Sequence, residues 1–119
     1  MTDDIYFILL TCGRRARLAR PFTITVDGYK IKIPAGFETD FASVPRIFWR
    51  IIPPWGKYSK AAVIHDYLYS TQEVTRLRAD KIFLSLMVEL KVKKWKRRVM
   101  YRAVRMFGWH PWNKHKEKD

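Results

Sequence analysis

A histidine and an aspartate stand side by side at positions 65 and 66, and a tyrosine follows at position 69. The segment predicts a helix from about Ser59 to Tyr69, because Ser59 suits an N-cap and neither Gly nor Pro interrupts the residues up to Ser70. On a helix, His65 and Tyr69 project from one side and Asp66 lies about 100° away, so the three side chains can converge. Burying His65 and Asp66 costs several kcal/mol unless each has a partner, so the pair indicates a site.

Two further carboxylates can approach this helix. Asp80 lies on the next predicted helix, which a short connection makes antiparallel, and Asp40 lies on the loop before. A His whose second ring nitrogen is held by a carboxylate has the arrangement of a general base acting on water. Asp66 or Asp40 could hold a divalent cation together with backbone oxygens. A buried His–Asp network that serves only the fold is equally compatible with these residues, and both interpretations stay open.

The spacing resembles the catalytic core of phospholipase A-two enzymes, above all the cysteine-poor form in parvovirus capsid proteins. That form reads Ala-Ala-x-x-His-Asp-x-x-Tyr and later Ala-Asp, and this chain has AAVIHDYLY over residues 61–69 and Ala79-Asp80. With the loop before the helix, the region compared runs from residue 53 to 80, about a quarter of the chain. The resemblance implies that His65 is the base, Asp66 a calcium ligand, Asp80 the group that orients His65, and Tyr69 a support for Asp80. The enzymes carry a Tyr-x-Gly-x-Gly calcium loop before the helix, whereas residues 53–58 here contain one glycine.

A second resemblance covers most of the chain. PAGFETDFASVPR over residues 34–46, AAVIHDYLY over 61–69, RAD over 78–80 and MYRAVRMFG over 100–108 follow one another in this order. The order is similar to that in a family of small tailed-phage and prophage proteins of unknown function. The resemblance implies a phage origin and supplies no activity.

The elements around the site predict a single α+β domain over residues 1–119, with a small antiparallel sheet packed against three helices. Two alternating arms, 22–26 and 29–33, flank Asp27-Gly28 and predict a β-hairpin with a type I′ turn. An apolar run over 5–10 predicts another strand, and a short helix is expected through Ile47 to Trp49. Residues 1–36 form the β-rich part and 37–108 the helical part.

Two more helices are predicted after the central one. Apolar stripes favour helices over about 76–90 and 93–107, and Gly108 suits the position just after a helix end. Residues 109–119 are interpreted as an aromatic anchor followed by a basic tail.

The chain is strongly basic, with a formal net charge of +13, which favours a polyanionic partner. Its single cysteine, Cys12, excludes a disulfide framework within the chain and a cysteine-rich zinc site. The N-terminus lacks the features of a signal peptide, and no apolar run approaches the length of a membrane span. The expected location is the virion or the host cytoplasm.

Most of the charge lies on the third predicted helix and after it. The candidate polyanion-binding residues are Lys94, Arg97, Arg98, Arg102 and Arg105. Three interpretations remain: a solvated basic face, a nucleic-acid phosphate contact, or a contact with anionic membrane or an acidic partner such as a virion protein.

Two functions therefore compete. One is a small phage accessory or virion-associated protein with a phospholipase-like His-Asp site, a candidate metal-assisted ester hydrolase with calcium as its cofactor. The alternative is a non-enzymatic phage structural or interaction protein that binds a polyanion, or another virion or host protein, through its basic helix.

Overall fold

The structure, a computed structural model, describes residues 7–9, 16–39, 46–51 and 59–118. Five strands precede the long helices: β1 (Phe7–Leu9), β2 (Ala16–Leu18), β3 (Phe22–Val26), β4 (Tyr29–Ile33) and β5 (Glu38–Thr39). A 3-10 helix spans Arg46–Arg50, and four helices follow: α1 (Ser59–Thr71), α2 (Arg76–Glu89), α3 (Lys94–Phe107) and α4 (Trp109–Lys118). The predicted α+β class is confirmed.

Strands β3 and β4 form the predicted hairpin. Val26 pairs with Tyr29 across the turn, where Asp27 and Gly28 adopt φ angles of 51° and 78°. Both angles are positive, as a type I′ turn requires. One face of the hairpin is buried, through Phe22, Ile24, Val26, Ile31 and Ile33.

The other sheet has the order β1-β2-β5, and both of its pairings are antiparallel. Strand β5 pairs Thr39 with Ala16 of β2, and the Leu18 N–H donates to the Phe37 carbonyl just beyond. The β-rich part therefore extends past residue 36, to the segment that brings Thr39 against α1.

Helices α1, α2 and α3 pack in sequence order, α1 on α2 and α2 on α3. Thr75 caps α2, because its side chain accepts a hydrogen bond from the Arg78 N–H at 3.2 Å. Gly108 follows α3 but keeps right-handed angles (φ −67°, ψ −15°), so it is not the left-handed C-cap that glycine usually supplies.

Residues 109–118 form α4, which corrects their interpretation as a tail. The right-handed Gly108 lets the chain turn directly into a new helix, and Pro111 lies in the first turn of α4, where a missing N–H costs nothing. Helix α4 packs on α1: the Gln72 side-chain amide donates to the Trp112 carbonyl at 2.7 Å.

One core joins the hairpin to the helices, with Ile31 and Ile33 in the same buried cluster as Ile64, Phe83 and Met100. Among the described residues, four polar or charged side chains are buried as well: Thr39, His65, Asp66 and Asp80. Within the described ranges, no helix has the length and apolar character needed to cross a membrane.

Candidate functional site

Helix α1 directs His65 and Tyr69 toward one carboxylate on α2. The Nε2 atom of His65 and the hydroxyl of Tyr69 each lie 2.7 Å from Oδ1 of Asp80. The spacing of one turn on α1 makes this possible, since residues i and i+4 share a face. The structure thus brings together the three residues predicted to act as base, orienting carboxylate and support.

Two arginines complete the surroundings of Asp80. Arg105 of α3 donates from Nη1 to Oδ2 of Asp80 at 2.7 Å, and Arg76 Nη1 lies 3.7 Å from the same oxygen. Arg76 also donates to the Val104 carbonyl at 3.1 Å and to the Arg105 carbonyl at 3.3 Å. We call His65, Tyr69, Asp80, Arg76 and Arg105 the Asp80 network.

The network keeps Asp80 ionised. Burial by itself raises the pKa of Asp80, but the hydrogen bond and charge of His65, with hydrogen bonds from Tyr69 and Arg105, hold that pKa below its ordinary value. Burial, and then the adjacent Asp80 charge, raise the pKa of Tyr69, so its hydroxyl remains a donor. An ionised carboxylate only accepts, so Nε2 of His65 carries the proton in this bond.

The centre of the network is inaccessible to solvent. His65, Tyr69 and Asp80 each have a relative exposure of 0%. The His65 ring packs on the rings of Tyr69 and Phe83, with centroid distances of 4.4 Å and 4.6 Å. Across the described residues, every buried side-chain nitrogen or oxygen has a hydrogen-bond partner. The buried polar atoms of the network are therefore all hydrogen-bonded, as buried polar groups in folded proteins usually are.

The Asp66 side chain contacts β5, whereas the His65 side chain contacts Asp80 of α2. The Asp66 carboxylate accepts a hydrogen bond from the Thr39 hydroxyl of β5, and both side chains are 4% exposed. Buried carboxylate and hydroxyl oxygens are the hard donors that calcium takes. The described ranges contain no group of three or more His, Cys, Asp and Glu side chains that could hold a metal ion. Asp40 and the predicted loop over 53–58 lie outside the described residues.

The five predicted polyanion-binding residues divide into two groups. Lys94, Arg98 and Arg102 are exposed on α3. Arg97 is half-buried and donates to the Val92 carbonyl at 3.2 Å, and Arg105 is the ion-pair partner of Asp80. Only the first three cations therefore remain available to an outside partner.

Sequence reasoning missed Thr39 and Arg76 at this site, assigned Arg105 to polyanion binding and took Gly108 only as the residue after a helix end. A Cβ atom added at Gly108 would overlap the Tyr69 hydroxyl, so the glycine lets the end of α3 approach the network closely. One available signal was the four-residue spacing of Arg76 and Asp80 on a predicted helix. The contacts of Arg105 with Asp80 and of Thr39 with Asp66 depend on how the elements pack, so the spacing of residues along the chain does not predict them.

The fold and site define a basic α+β protein with a buried His–Asp–Tyr network between two helices that pack on each other. The family profile described as "Protein of unknown function (DUF1353)" matches residues 16–104, and the chain belongs to this family. It is 40% identical over 84 residues to the "Uncharacterized protein y4jT" of Sinorhizobium fredii (strain NBRC 101917 / NGR234). That match covers 69% of this chain and 25% of the relative, so the chain spans about a quarter of the relative's length. No solved structure matches the chain.

Proposed function

We propose that the chain is a small hydrolase in which His65 activates water for attack on an ester. The observation that carries this proposal is the pair of 2.7 Å contacts from His65 Nε2 and the Tyr69 hydroxyl to one oxygen of an ionised Asp80. This arrangement fixes both the tautomer and the orientation of the imidazole. A catalytic base needs both, since it must present the same nitrogen to each water molecule.

The proton path follows from the tautomer. Nδ1 of His65 is buried and hydrogen-bonded in the folded chain, so it must first exchange that partner for water. It then takes a proton from the water as the water oxygen attacks the ester carbonyl, and the Asp80 carboxylate stabilises the imidazolium that forms. His65 then returns the proton to the departing alkoxide, which leaves an acid and an alcohol. Tyr69 and Arg105 hold Asp80 in place and do not exchange protons. Because His65 is buried, the reaction requires the surrounding chain to admit the substrate to its ring.

Calcium is the proposed cofactor, and Asp66 would supply its carboxylate ligand, together with oxygens outside the described residues. The buried position of Asp66 next to His65 and its oxygen donor chemistry support this assignment. A bound calcium ion would polarise the ester carbonyl and stabilise negative charge on its oxygen.

The proposed biological setting is a phage or prophage, in which the protein acts in the virion or in the host cytoplasm. Support for this setting comes from the order of the sequence segments over residues 34–46, 61–69, 78–80 and 100–108. This order resembles that in a family of small tailed-phage and prophage proteins.

A second candidate function is non-enzymatic binding of a polyanion or of a virion or host protein. Three exposed cations on α3 and the complete satisfaction of the buried polar groups favour it. In that case His65 and Asp80 stabilise the packing of α1, α2 and α3.

The test is ester hydrolysis by the full chain with and without millimolar calcium. The substrates are a soluble short-chain nitrophenyl ester and vesicles of mixed phosphatidylcholine and phosphatidylglycerol. We expect His65→Asn to lose at least about 100-fold in rate, as removal of a general base does. His110→Asn is the matched control, because His110 is exposed on α4.

Three further results decide between the functions. Calorimetric calcium binding that is lost in Asp66→Asn would support the cofactor assignment. Hydrolysis that survives His65→Asn in a folded variant would remove His65 as the base. A folded wild type without hydrolysis of either substrate would leave the non-enzymatic candidate.

A further inference from the structure

One face of α3 exposes large apolar side chains beside cations. Trp95 is 57% exposed and Met106 is 65% exposed, and the exposed Arg98 and Arg102 lie between them in sequence. Positions 95, 98, 102 and 106 are three or four residues apart, so they form one stripe along the helix. We call Trp95, Arg98, Arg102 and Met106 the α3 outer face.

The core does not require this stripe. Helix α3 buries Met100, Ala103 and Val104 and packs on α2. Exposed tryptophan and methionine side chains cost free energy in water, since their apolar surface remains hydrated. Two such residues on one stripe mark a surface that gains from contact with a partner.

Lys94 extends the α3 outer face, because it is exposed at the first residue of α3, one helical turn before Arg98. Trp109 is 55% exposed at the start of the next helix, α4. Within the described ranges, no carboxylate forms an ion pair with Lys94, Arg98 or Arg102. The surface therefore presents positive charge that an outside anion can neutralise.

We propose that the α3 outer face binds the surface of an anionic lipid bilayer. A helix that lies at a bilayer surface carries Lys or Arg next to Trp or other large apolar side chains. The cations contact lipid phosphates, while the tryptophan ring occupies the headgroup region. Arg98 and Arg102 supply the contacts with phosphates, and Trp95 and Met106 supply the apolar contacts.

The apolar residues favour lipid over nucleic acid. A nucleic-acid backbone offers phosphates to Arg98 and Arg102 but no apolar phase for the Met106 side chain. Tryptophan can stack on a base, whereas a methionine that is 65% exposed gains most from an acyl-chain boundary. Nucleic acid is therefore the competing outcome that the experiment must separate.

The inference stands apart from the chemistry of His65, because the α3 outer face and the Asp80 network share no residue. The experiment uses the full chain carrying His65→Asn, so that hydrolysis of the lipid cannot change the vesicles during the binding measurement.

The experiment is flotation of the protein with vesicles of phosphatidylcholine alone or of equal phosphatidylcholine and phosphatidylglycerol. We expect binding to the anionic vesicles, weakened by salt, and little binding to the neutral ones. The double variant Arg98→Gln/Arg102→Gln should bind at least about tenfold more weakly. Lys30→Gln/Lys32→Gln is the matched control, because it removes the same charge from exposed positions on β4.

A second variant tests the apolar half of the face. Trp95→Ser/Met106→Ser should also weaken vesicle binding, and both variants should keep the wild-type far-ultraviolet circular dichroism spectrum. An equal loss of vesicle binding in Lys30→Gln/Lys32→Gln would overturn the proposal, because it would show that binding depends on the net charge of the protein and not on the α3 outer face. Tighter binding to a DNA duplex at equal phosphate concentration, unaffected by Trp95→Ser/Met106→Ser, would also overturn it in favour of nucleic acid.

Discussion

Asp80 is a buried charge with an unusual number of donors. Its Oδ1 atom accepts from His65 and Tyr69, and its Oδ2 atom accepts from Arg105. Removing a carboxylate from water costs several kcal/mol unless hydrogen bonds and opposite charges replace the solvent. Here α1 and α3 supply those partners, so this single residue of α2 links three helices.

The lowered pKa of Asp80 makes stability depend on pH in a defined direction. A folded-state pKa below the unfolded value of about 4 contributes stability at higher pH, which is lost as the pH falls through the folded pKa. We expect the gap in unfolding free energy between wild type and Asp80→Asn to be largest near neutral pH and to shrink below about pH 4. Urea unfolding across that range measures it.

The control is Asp27→Asn, which changes an exposed carboxylate in the hairpin turn. The Ser85 hydroxyl donates to this carboxylate at 2.8 Å, and the asparagine Oδ1 can accept the same hydrogen bond. Asparagine accepts the positive φ of this position, so the backbone is undisturbed. A gap for Asp80→Asn that stays constant from pH 7 to pH 2 would contradict the prediction.

Arg105 and Arg102 occupy the same helix but differ in what they contact. Arg105 binds the buried Asp80 with a side chain that is 31% exposed, and Arg102 is exposed. We expect Arg105→Gln to lower the free energy of unfolding by about 1–2 kcal/mol, less than a fully buried pair because solvent screens part of the interaction. Arg102→Gln should change it by about 0.5 kcal/mol or less. Equal effects in chemical denaturation would rule out the distinction.

At the scale of elements, the last turn of α3 covers the Asp80 network. Arg76 of α2 donates to the Val104 and Arg105 carbonyls there, which places a cation at the negative end of the helix dipole. Gly108 lies against the Tyr69 hydroxyl, and Trp112 of α4 stacks edge-on to the Tyr69 ring at 5.2 Å. Helices α3 and α4 thus enclose the residues that α1 and α2 bring together.

The close approach of α3 to α1 depends on the absence of a side chain at Gly108. Gly108→Ala should destabilise the protein by about 1–3 kcal/mol, because the added methyl group overlaps both the Tyr69 hydroxyl and the Val104 carbonyl oxygen. In a Tyr69→Phe background the same substitution should cost less, since one of these two oxygens is gone and only the overlap with the Val104 carbonyl remains. A double-mutant cycle of unfolding free energies measures this coupling, and strict additivity would show that the two positions do not interact.

At the scale of the whole molecule, one core connects the hairpin to the helices. The buried cluster contains residues of β3 and β4 as well as of α1, α2 and α3. The homologous segment of the Sinorhizobium fredii relative is about a quarter of a longer chain. A shared core predicts that the 119-residue chain unfolds as one cooperative unit.

This prediction is tested by thermal unfolding with two probes. Far-ultraviolet circular dichroism follows the helices, and tryptophan fluorescence follows side-chain packing. We expect a single shared midpoint, as in two-state unfolding. Separate midpoints would show that part of the helical structure forms independently of the core.

Local patterns predicted the hairpin, the three central helices and the shared face of His65 and Tyr69, and the resemblance to phospholipase A-two enzymes implied Asp80 as the partner of His65. The two hairpin arms alternate, Asp27-Gly28 permits positive φ, and His65 and Tyr69 are one helical turn apart. Such features depend on residues near one another in the chain, so they are visible without the fold. Helix α4 was missed because Trp109 to Lys118 lack a clear apolar period, and their helix is fixed by packing on α1.

The sequence by itself therefore determined the hairpin, the three central helices and the shared face of His65 and Tyr69, because helical periodicity acts over one turn. Only the tertiary structure decided that Arg105 belongs to Asp80 while Arg102 faces solvent. Both are arginines on one basic helix, and the difference arises from which side of α3 meets α2. The same packing joined the Thr39 hydroxyl to the Asp66 carboxylate, 27 residues later in the chain, and brought Gly108 next to the Tyr69 hydroxyl. These contacts depend on how helices and sheet close around one core, which no local spacing records.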